Sequence, residues 1–522
     1  MLDIAIVGGG LCGLALAREL QRQGRDYRLF EARPRLGGRI LTRLAGSGLP
    51  LDLGAGWFWP DSHPRLVRLI AELGLTSFPQ HDQGRVVGLE EADGKLQDLG
   101  DAPVHNGALR LAGGMGALVE ALAARLAPER LQLGWVLWAV EDRGAHVELH
   151  FRSGGEPAVV AARRVVLAMP PRLVHQQLRL EPPLDASVHR ALAETPTWMA
   201  AEAKVLVSFP RPFWRAAGLS GNGFARHEQA VLGELFDACD AEGYRAALGG
   251  FAALSAQQRE TFRLGLPMLI QSQLVQFFGV EAEPGEQYFH DWATEPYTCS
   301  ALDLEPSHRE PEYGHPLLGL AHWGGKLLFG GTETARQGGG YLEGALEAAA
   351  RLQGQLAQAP VSPVNGEALA RFGAWVGARR AAALAEYQRN LQRRLSLQQR
   401  AQLTQRALLE TVEQVYRDSL RQLEELTLET AAVVEGRSDL TPAVLAPFLG
   451  FNDALLEEAL RFNRSSCALS NFPSEHEVDP EYRHTIRRDL AAAWREFALA
   501  ANTHLVGRAG LALASAAVAG HA

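Results

Sequence analysis

Positive charge is in short supply: 51 Lys and Arg stand against 60 Asp and Glu over 522 residues, a formal net charge of −9. The basic surplus that a phosphate backbone demands is missing, which excludes nucleic acid as a partner. Residues 361–522 are balanced, with 18 Lys and Arg against 19 Asp and Glu, so the acidity lies in the preceding part, where it weakly favours cationic small molecules. Cysteine is scarce. Cys12, Cys239, Cys299 and Cys467 are scattered without a disulfide framework or metal-ligand spacing, and a reducing, cytoplasmic setting is expected. No basic region, apolar stretch and small-residue cleavage site precedes the first strand, so the mature protein is expected to start at Met1. A membrane span needs about 20 apolar residues in a row, and none is found. The tail Leu505 to Ala522 is apolar and small, but Arg508 and several Gly and His interrupt it, and a packed or frayed end is expected. The 47% hydrophobic and 21% charged residues are those of a folded globular chain. Cores stop growing beyond roughly 250–300 residues, so two or three domains are expected.

Asp3 to Val7 reads as a buried strand, Leu11 to Gln23 as a helix with Leu14, Ala17 and Leu20 on one side, and Tyr27 to Glu31 as a second strand. Between the first strand and the helix stands Gly8-Gly9-Gly10-Leu11-Cys12-Gly13, a G-x-G-x-x-G in the context that gives the pattern meaning. Gly8 permits a tight turn, Gly10 lets a pyrophosphate approach the backbone, and Gly13 lets helix and strand pack closely, while the helix N-terminus supplies amide donors. Glu31 closes the second strand, where an acid binds a ribose hydroxyl pair. A dinucleotide site follows, open at this point to NAD or FAD.

The continuation Glu31-Ala32-Arg33-Pro34-Arg35-Leu36-Gly37-Gly38-Arg39 resembles the extended signature of amine oxidases and related flavoproteins. Gly38 admits close backbone approach, and Arg39 is expected to neutralise the FAD pyrophosphate with a forked donor. Arg33 and Arg35 are expected on solvated surface. Asp52-Leu53-Gly54-Ala55-Gly56-Trp57 is similar to the family's small-residue segment against the flavin ring, which implies flavin contacts for Gly54, Ala55, Gly56 and Trp57. Arg110-Leu111-Ala112-Gly113-Gly114-Met115-Gly116 resembles the glycine pair before the family's central helix. Arg164 to Pro171 resembles the strand-to-proline exit from the FAD domain, and in that pattern Val136 presents its backbone to the adenine. The most specific match is Leu328-Phe329-Gly330-Gly331-Thr332-Glu333-Thr334-Ala335, continuing through Gly340-Tyr341-Leu342-Glu343-Gly344-Ala345. It closely resembles the C-terminal flavin motif of monoamine oxidases. The resemblance implies that Glu333 reaches the ribityl and phosphate region and that the helix starting at Leu342 aims its amides at the flavin's pyrimidine edge. These segments span about residues 1–358 in the family's order.

The same resemblance implies the chemistry. Lys204, in Ala203-Lys204-Val205-Leu206 ahead of Phe213-Trp214, matches the family's flavin-facing lysine, which holds a water at flavin N5 and is linked to the reaction with oxygen. Tyr341 matches one wall of an aromatic cage over the flavin, and Tyr313 is expected to supply the other. Members that hold flavin covalently use a cysteine after a Gly-rich run; Tyr297-Thr298-Cys299-Ser300 lacks that run, so noncovalent FAD is expected, with Cys299 a small apolar residue. No arginine is placed to grip an amino-acid carboxylate, which favours an amine substrate, with oxygen as acceptor.

From Asn365 onward the sequence changes character. Leu391 to Val434 contains neither Gly nor Pro, and Leu408, Val412, Val415, Leu420 and Leu423 mark an apolar stripe, read as one long helix or a hairpin of two. Further helices are expected near Pro442 to Phe462 and Glu481 to Leu505, in an all-α domain of three to five helices. Its stripe is read as a packing face, and the domain is a candidate surface for self-association or a protein partner. Glu481 and His484 have the Glu-x-x-His spacing of di-iron bundles, but without a second such pair no metal is assigned.

The expected fold is an α/β FAD-binding Rossmann-like domain (1–75, 107–175 and 322–358) with an inserted α+β substrate domain (76–106 and 176–321), followed by an all-α C-terminal domain (359–522). The expected activity is hydride removal from an amine's α-carbon, then reoxidation by oxygen to hydrogen peroxide. An amino-acid oxidase, a flavin-dependent carbon–carbon desaturase and a flavin-bound scaffold for a partner are the alternatives.

Overall fold

A computed structural model describes residues 1–305, 311–357, 363–397, 402–429, 433–434, 436–469 and 471–519. Two compact units divide the chain, residues 1–322 with 326–357, and 323–325 with 358–522.

In the first unit, the strand Leu2–Val7 lies between Tyr27–Glu31 and Glu156–Leu167, parallel to both. Leu131–Leu133 extends the sheet beyond Tyr27–Glu31, and Leu327–Phe329 joins the C-terminal end of Glu156–Leu167, again in parallel. Parallel strands need both faces covered, and these read accordingly as Val/Ile/Leu runs. Val165, Val166 and Leu167 are all fully buried. The helices Leu11–Arg22, Gly116–Ala123 and Leu342–Ala357 pack into this core through Leu14, Leu118 and Leu352. An antiparallel extension, Trp135–Asp142 and Val147–Ser153, completes the sheet together with Arg179–Glu181 and Ala321–His322.

A second sheet of seven strands runs in the order Glu286–Asp291, Ala203–Phe209, Ala246–Ala252, Leu232–Asp237, Leu219–Ala225, Arg85–Leu89, Gln97–Asp98. Alternation along Ala203–Phe209 sends Val205 and Val207 to a core with Leu274 and Phe277 of the helix Leu266–Phe278. Leu206 goes to the opposite face, where it meets Leu51 and Leu53. Lys204 shares that second face, since residues two apart on a strand point the same way.

The second unit is helical but not all-α, since the two-residue strands Val433–Val434 and Arg437–Ser438 pair antiparallel within it. Its long helices are Pro363–Ser396, Leu403–Glu425, Phe451–Ser465 and Pro480–Ala519, with short ones at Thr441–Leu445 and Pro473–His476. The first therefore starts well before Leu391, and the second ends well before Val434. Gln402 (φ 55°) precedes the second helix, and Gly450 (φ 69°) separates Thr441–Leu445 from Phe451–Ser465. The apolar stripe is a packing face: Leu408, Val412, Val415 and Leu423 are fully buried and Leu420 packs against them. Glu475 accepts from the amides of Leu403 (2.7 Å) and Thr404 (2.9 Å), two of the donors that a helix start leaves open. Glu481 and His484 are both exposed. Among the described residues no helix is long and apolar enough to cross a membrane.

Candidate active site

A cavity of ≈ 400 Å³ in the first unit is lined by residues from both sheets. One end is the glycine loop. Gly8 has φ 113°, and a Cβ there would meet the Ala168 carbonyl oxygen at 2.3 Å. A Cβ on Gly13 would lie 2.0 Å from the Gly8 carbonyl oxygen, so Gly13 lets the helix close on the loop and does not itself line the cavity. Glu31 stands at the strand end with its carboxylate accepting from Gly9 N (2.7 Å) and Arg33 N (2.9 Å). Gly8, Gly10, Glu31, Gly38 and Val136 all face this end of the cavity.

Arg39 lines the same space and donates from both Nη atoms to Glu333, at 2.6 and 3.0 Å. Glu333 is fully buried. The pair also fixes Trp198, whose amide donates to Glu333 Oε1 (3.3 Å) and whose carbonyl accepts from Arg39 (3.2 Å). Glu333 thus stands behind Arg39 and is not itself on the cavity wall.

Farther along, Gly54, Ala55, Gly56 and Trp57 bring backbone and one ring to the wall. A Cβ on Gly54 would lie 2.0 Å from the Arg39 carbonyl oxygen, which ties this segment to the arginine's strand-end loop. Lys204 reaches the wall from the second sheet. It is buried, donates to the Gly54 carbonyl (3.0 Å), and its Nζ lies 4.8, 5.3 and 5.4 Å from the ring centres of Trp57, Phe236 and Phe251. Phe251 is its direct cross-strand neighbour, and Gly249 makes room for Phe236, whose Cε2 lies 2.1 Å from where a Cβ would stand. Burial pushes the Lys204 ammonium down to about 8, against the pull of Asp52. An ammonium that loses its proton near neutrality, boxed by aromatic faces, is a group poised for function.

Tyr341 and Leu342 line the cavity where the closing motif enters its helix. Tyr313 does not. It packs behind the motif, where a Cβ on Gly339 would meet its Cβ at 2.4 Å, and its hydroxyl is buried with no partner among the described residues. The rings beside Tyr341 are those of His63, Trp198 and Trp59, with centroids 5.5, 5.8 and 6.4 Å away. Tyr313 is therefore not on the cavity wall with Tyr341, whereas Tyr297 and Trp198 are. Arg33 is also corrected: it is buried, lines the cavity, and donates to Glu295 (2.9 and 2.7 Å) and Thr298 (2.8 Å). Arg35 is half-buried, with one Nη donating to the carbonyls of Leu36 and Ile40. Cys299 is buried and off the wall, its thiol pushed up to about 11 by burial. Sequence reasoning missed Trp59, Trp198, Glu202 and Trp292, which line the cavity from loops and strand ends without a local motif. Arg33 had a signal, two residues after Glu31 in the signature.

The glycine cradle, the acid at the second strand's end and a cavity running from there to a caged lysine fit FAD. A family-wide sequence model described as flavin containing amine oxidoreductase matches residues 11–105 and 95–352. The chain belongs to this family. It is an FAD-dependent amine oxidase. It is similar to the putrescine oxidase of Kocuria rosea, 25% identical over 69% of this chain and 95% of that protein. The flavin-containing amine oxidase B of Homo sapiens is 24% identical over 67% of this chain and 85% of its own length. Among solved structures, putrescine oxidase bound to putrescine superposes with a TM-score of 0.56 at 22% identity, covering 68% of this chain and 99% of that one. Cyclohexylamine oxidase from Brevibacterium oxydans IH-35A matches with the same score at 21% identity, over 68% of this chain and 98% of its own. This amine oxidase thus shares the fold of both structures, and the family match ends at residue 352, ahead of the helical unit.

Proposed function

We propose that the enzyme oxidises aliphatic primary amines, such as those the relatives' names specify, with FAD held noncovalently, and passes the electrons to oxygen. The observation that carries this reading is the placement of the Lys204 ammonium, caged by Trp57, Phe236 and Phe251, on the wall of the cavity that the glycine loop opens. The flavin supplies the acceptor for the hydride that leaves the amine's α-carbon, and the amine becomes an imine that water hydrolyses. Glu31, Gly10 and Arg39 bind the dinucleotide end. Lys204 orients a water and supplies positive charge where oxygen is reduced to hydrogen peroxide. Tyr341 and Trp198 form an apolar wall that excludes water and orients the amine.

In this reading residues 1–75, 107–175 and 322–358 bind the cofactor, 76–106 and 176–321 shape the substrate, and 359–522 serve self-association or a partner. The free, buried thiols of Cys12, Cys239 and Cys299 suit a reducing cytoplasm. Mixing the purified enzyme without oxygen with monoamines, diamines and amino acids tests the proposal. Bleaching of the flavin absorbance by primary amines is expected. Bleaching by amino acids alone would reassign it as an amino-acid oxidase, and none by either class would favour the desaturase or scaffold.

A further inference from the structure

Asp52 opens the small-residue segment Asp52-Leu53-Gly54-Ala55-Gly56, and its carboxylate is used unevenly. Oδ1 accepts from Thr42 Oγ1 (2.5 Å) and from Met115 N (2.9 Å), at the start of the helix Gly116–Ala123. Oδ2 is buried without a hydrogen-bond partner among the described residues. That oxygen and Lys204 border the same glycine: a Cβ on Gly56 would lie 3.5 Å from Lys204 Nζ and 3.9 Å from Asp52 Oδ2. Two buried cations share this region, and among the described residues neither has a carboxylate hydrogen-bonded to it. Lys204 donates to the Gly54 carbonyl, and Arg110 to the carbonyls of Cys239 (2.7 Å) and Ala238 (3.3 Å). We infer that Asp52 is the positioning residue for Lys204: its Oδ2, which lies beside the same glycine as Nζ, is the counter-charge for the ammonium on the cavity wall.

The other charged groups around Lys204 are few. Arg110 opposes its protonation and Glu234 favours it from the strand Leu232–Asp237. His290, its cross-strand neighbour, faces Glu295 (3.5 Å), and Trp57, Phe236 and Phe251 are uncharged. Burial pushes the Asp52 carboxyl up, while Thr42, Arg110 and Lys204 pull it back. An anionic Asp52 raises the Lys204 midpoint, because an opposite charge favours the protonated ammonium.

The chain has only three lysines, Lys95, Lys204 and Lys326, so reductive ¹³C-methylation of the intact enzyme leaves few NMR signals, and Lys204→Met assigns one of them. The Lys204 signal is expected to titrate near pH 8, in line with its burial. Asp52→Asn, which keeps an Oδ1 acceptor for Thr42 and Met115, should lower that midpoint. Arg110→Gln should raise it. A midpoint unmoved in a folded Asp52→Asn enzyme would overturn the inference. Should that variant not fold, Asp52→Glu, which keeps a carboxylate but moves it, takes its place: a shifted midpoint supports the inference and an unmoved one overturns it. The inference rests on the proposed function only for its consequence, a parallel shift in the pH profile of flavin reoxidation. The NMR titration needs no substrate, so failure of the amine reading and failure of the Asp52 role are read separately.

Discussion

Removing Arg39 exposes how the cofactor end of the cavity is held together. Glu333 is fully buried and its oxygens accept from Arg39 at 2.6 and 3.0 Å. Among the described residues, Arg39→Ala leaves that carboxylate with only the longer bond from Trp198 N (3.3 Å). Deleting one partner of a buried ion pair typically costs about 3–5 kcal/mol, because the remaining charge is stranded away from water. Arg39 is about a quarter exposed (side chain 27%), so some water reaches the pair, and the low end, about 3 kcal/mol, is expected. The double variant Arg39→Ala/Glu333→Gln strands no charge and should recover about half of that loss. Urea titrations read by flavin fluorescence report on the unit that carries both residues. Equal midpoints for the single and double variants would refute the reasoning, since the loss would then come from the arginine's packing.

The same Arg39→Ala change should reduce FAD occupancy on dilution, a charge-assisted contact to phosphate being worth about 1.5–3 kcal/mol; unchanged occupancy would remove Arg39 from the phosphate site. Acid precipitation should release yellow FAD into the supernatant, and flavin remaining on the pellet would contradict noncovalent binding. Lys204→Met should raise stability at pH 7 by about 3 kcal/mol, because the folded state holds the ammonium at a pKa of about 8 against an ordinary 10.5. The sign follows from proton counting: between these values the unfolded chain binds the extra proton, so wild-type stability rises with pH and the variant's advantage fades. Thermal melts at pH 7 and 10 check this, and an advantage that grows with pH would count against it.

Much of the cofactor end was legible because its residues are contiguous. Gly8 and Gly13 must be glycines, since a Cβ on the first would meet the Ala168 carbonyl oxygen and one on the second the Gly8 carbonyl oxygen, and a backbone constraint of that kind writes itself into a short motif. Lys204 was legible through its spacing to Phe213 and Trp214, which sit buried just beyond its strand. Its cage was not: Phe236 and Phe251 come from two other strands, and only the register Lys204↔Phe251↔Glu234 brings them together. Tyr313 failed as a cage wall because its place in sequence near the closing motif says nothing about which side of Gly339 the chain passes. Arg33 was misread as surface because its partner, Glu295, lies 262 residues away. In the helical unit the apolar stripe was readable from its period, but the break near Gln402 was not, since no Gly or Pro marks it.

The role assigned to Lys204 is tested most directly by separating the two half-reactions of Lys204→Met in a stopped-flow instrument. Anaerobic reduction of the flavin by a good amine should fall little, because the dinucleotide end is untouched. Reoxidation of the reduced enzyme on admitting oxygen should fall by much more, since the ordered water and the positive charge at the cavity wall are both gone. Equal, near-wild-type rates in the two half-reactions would contradict that role and make Lys204 a buried lysine without a part in catalysis.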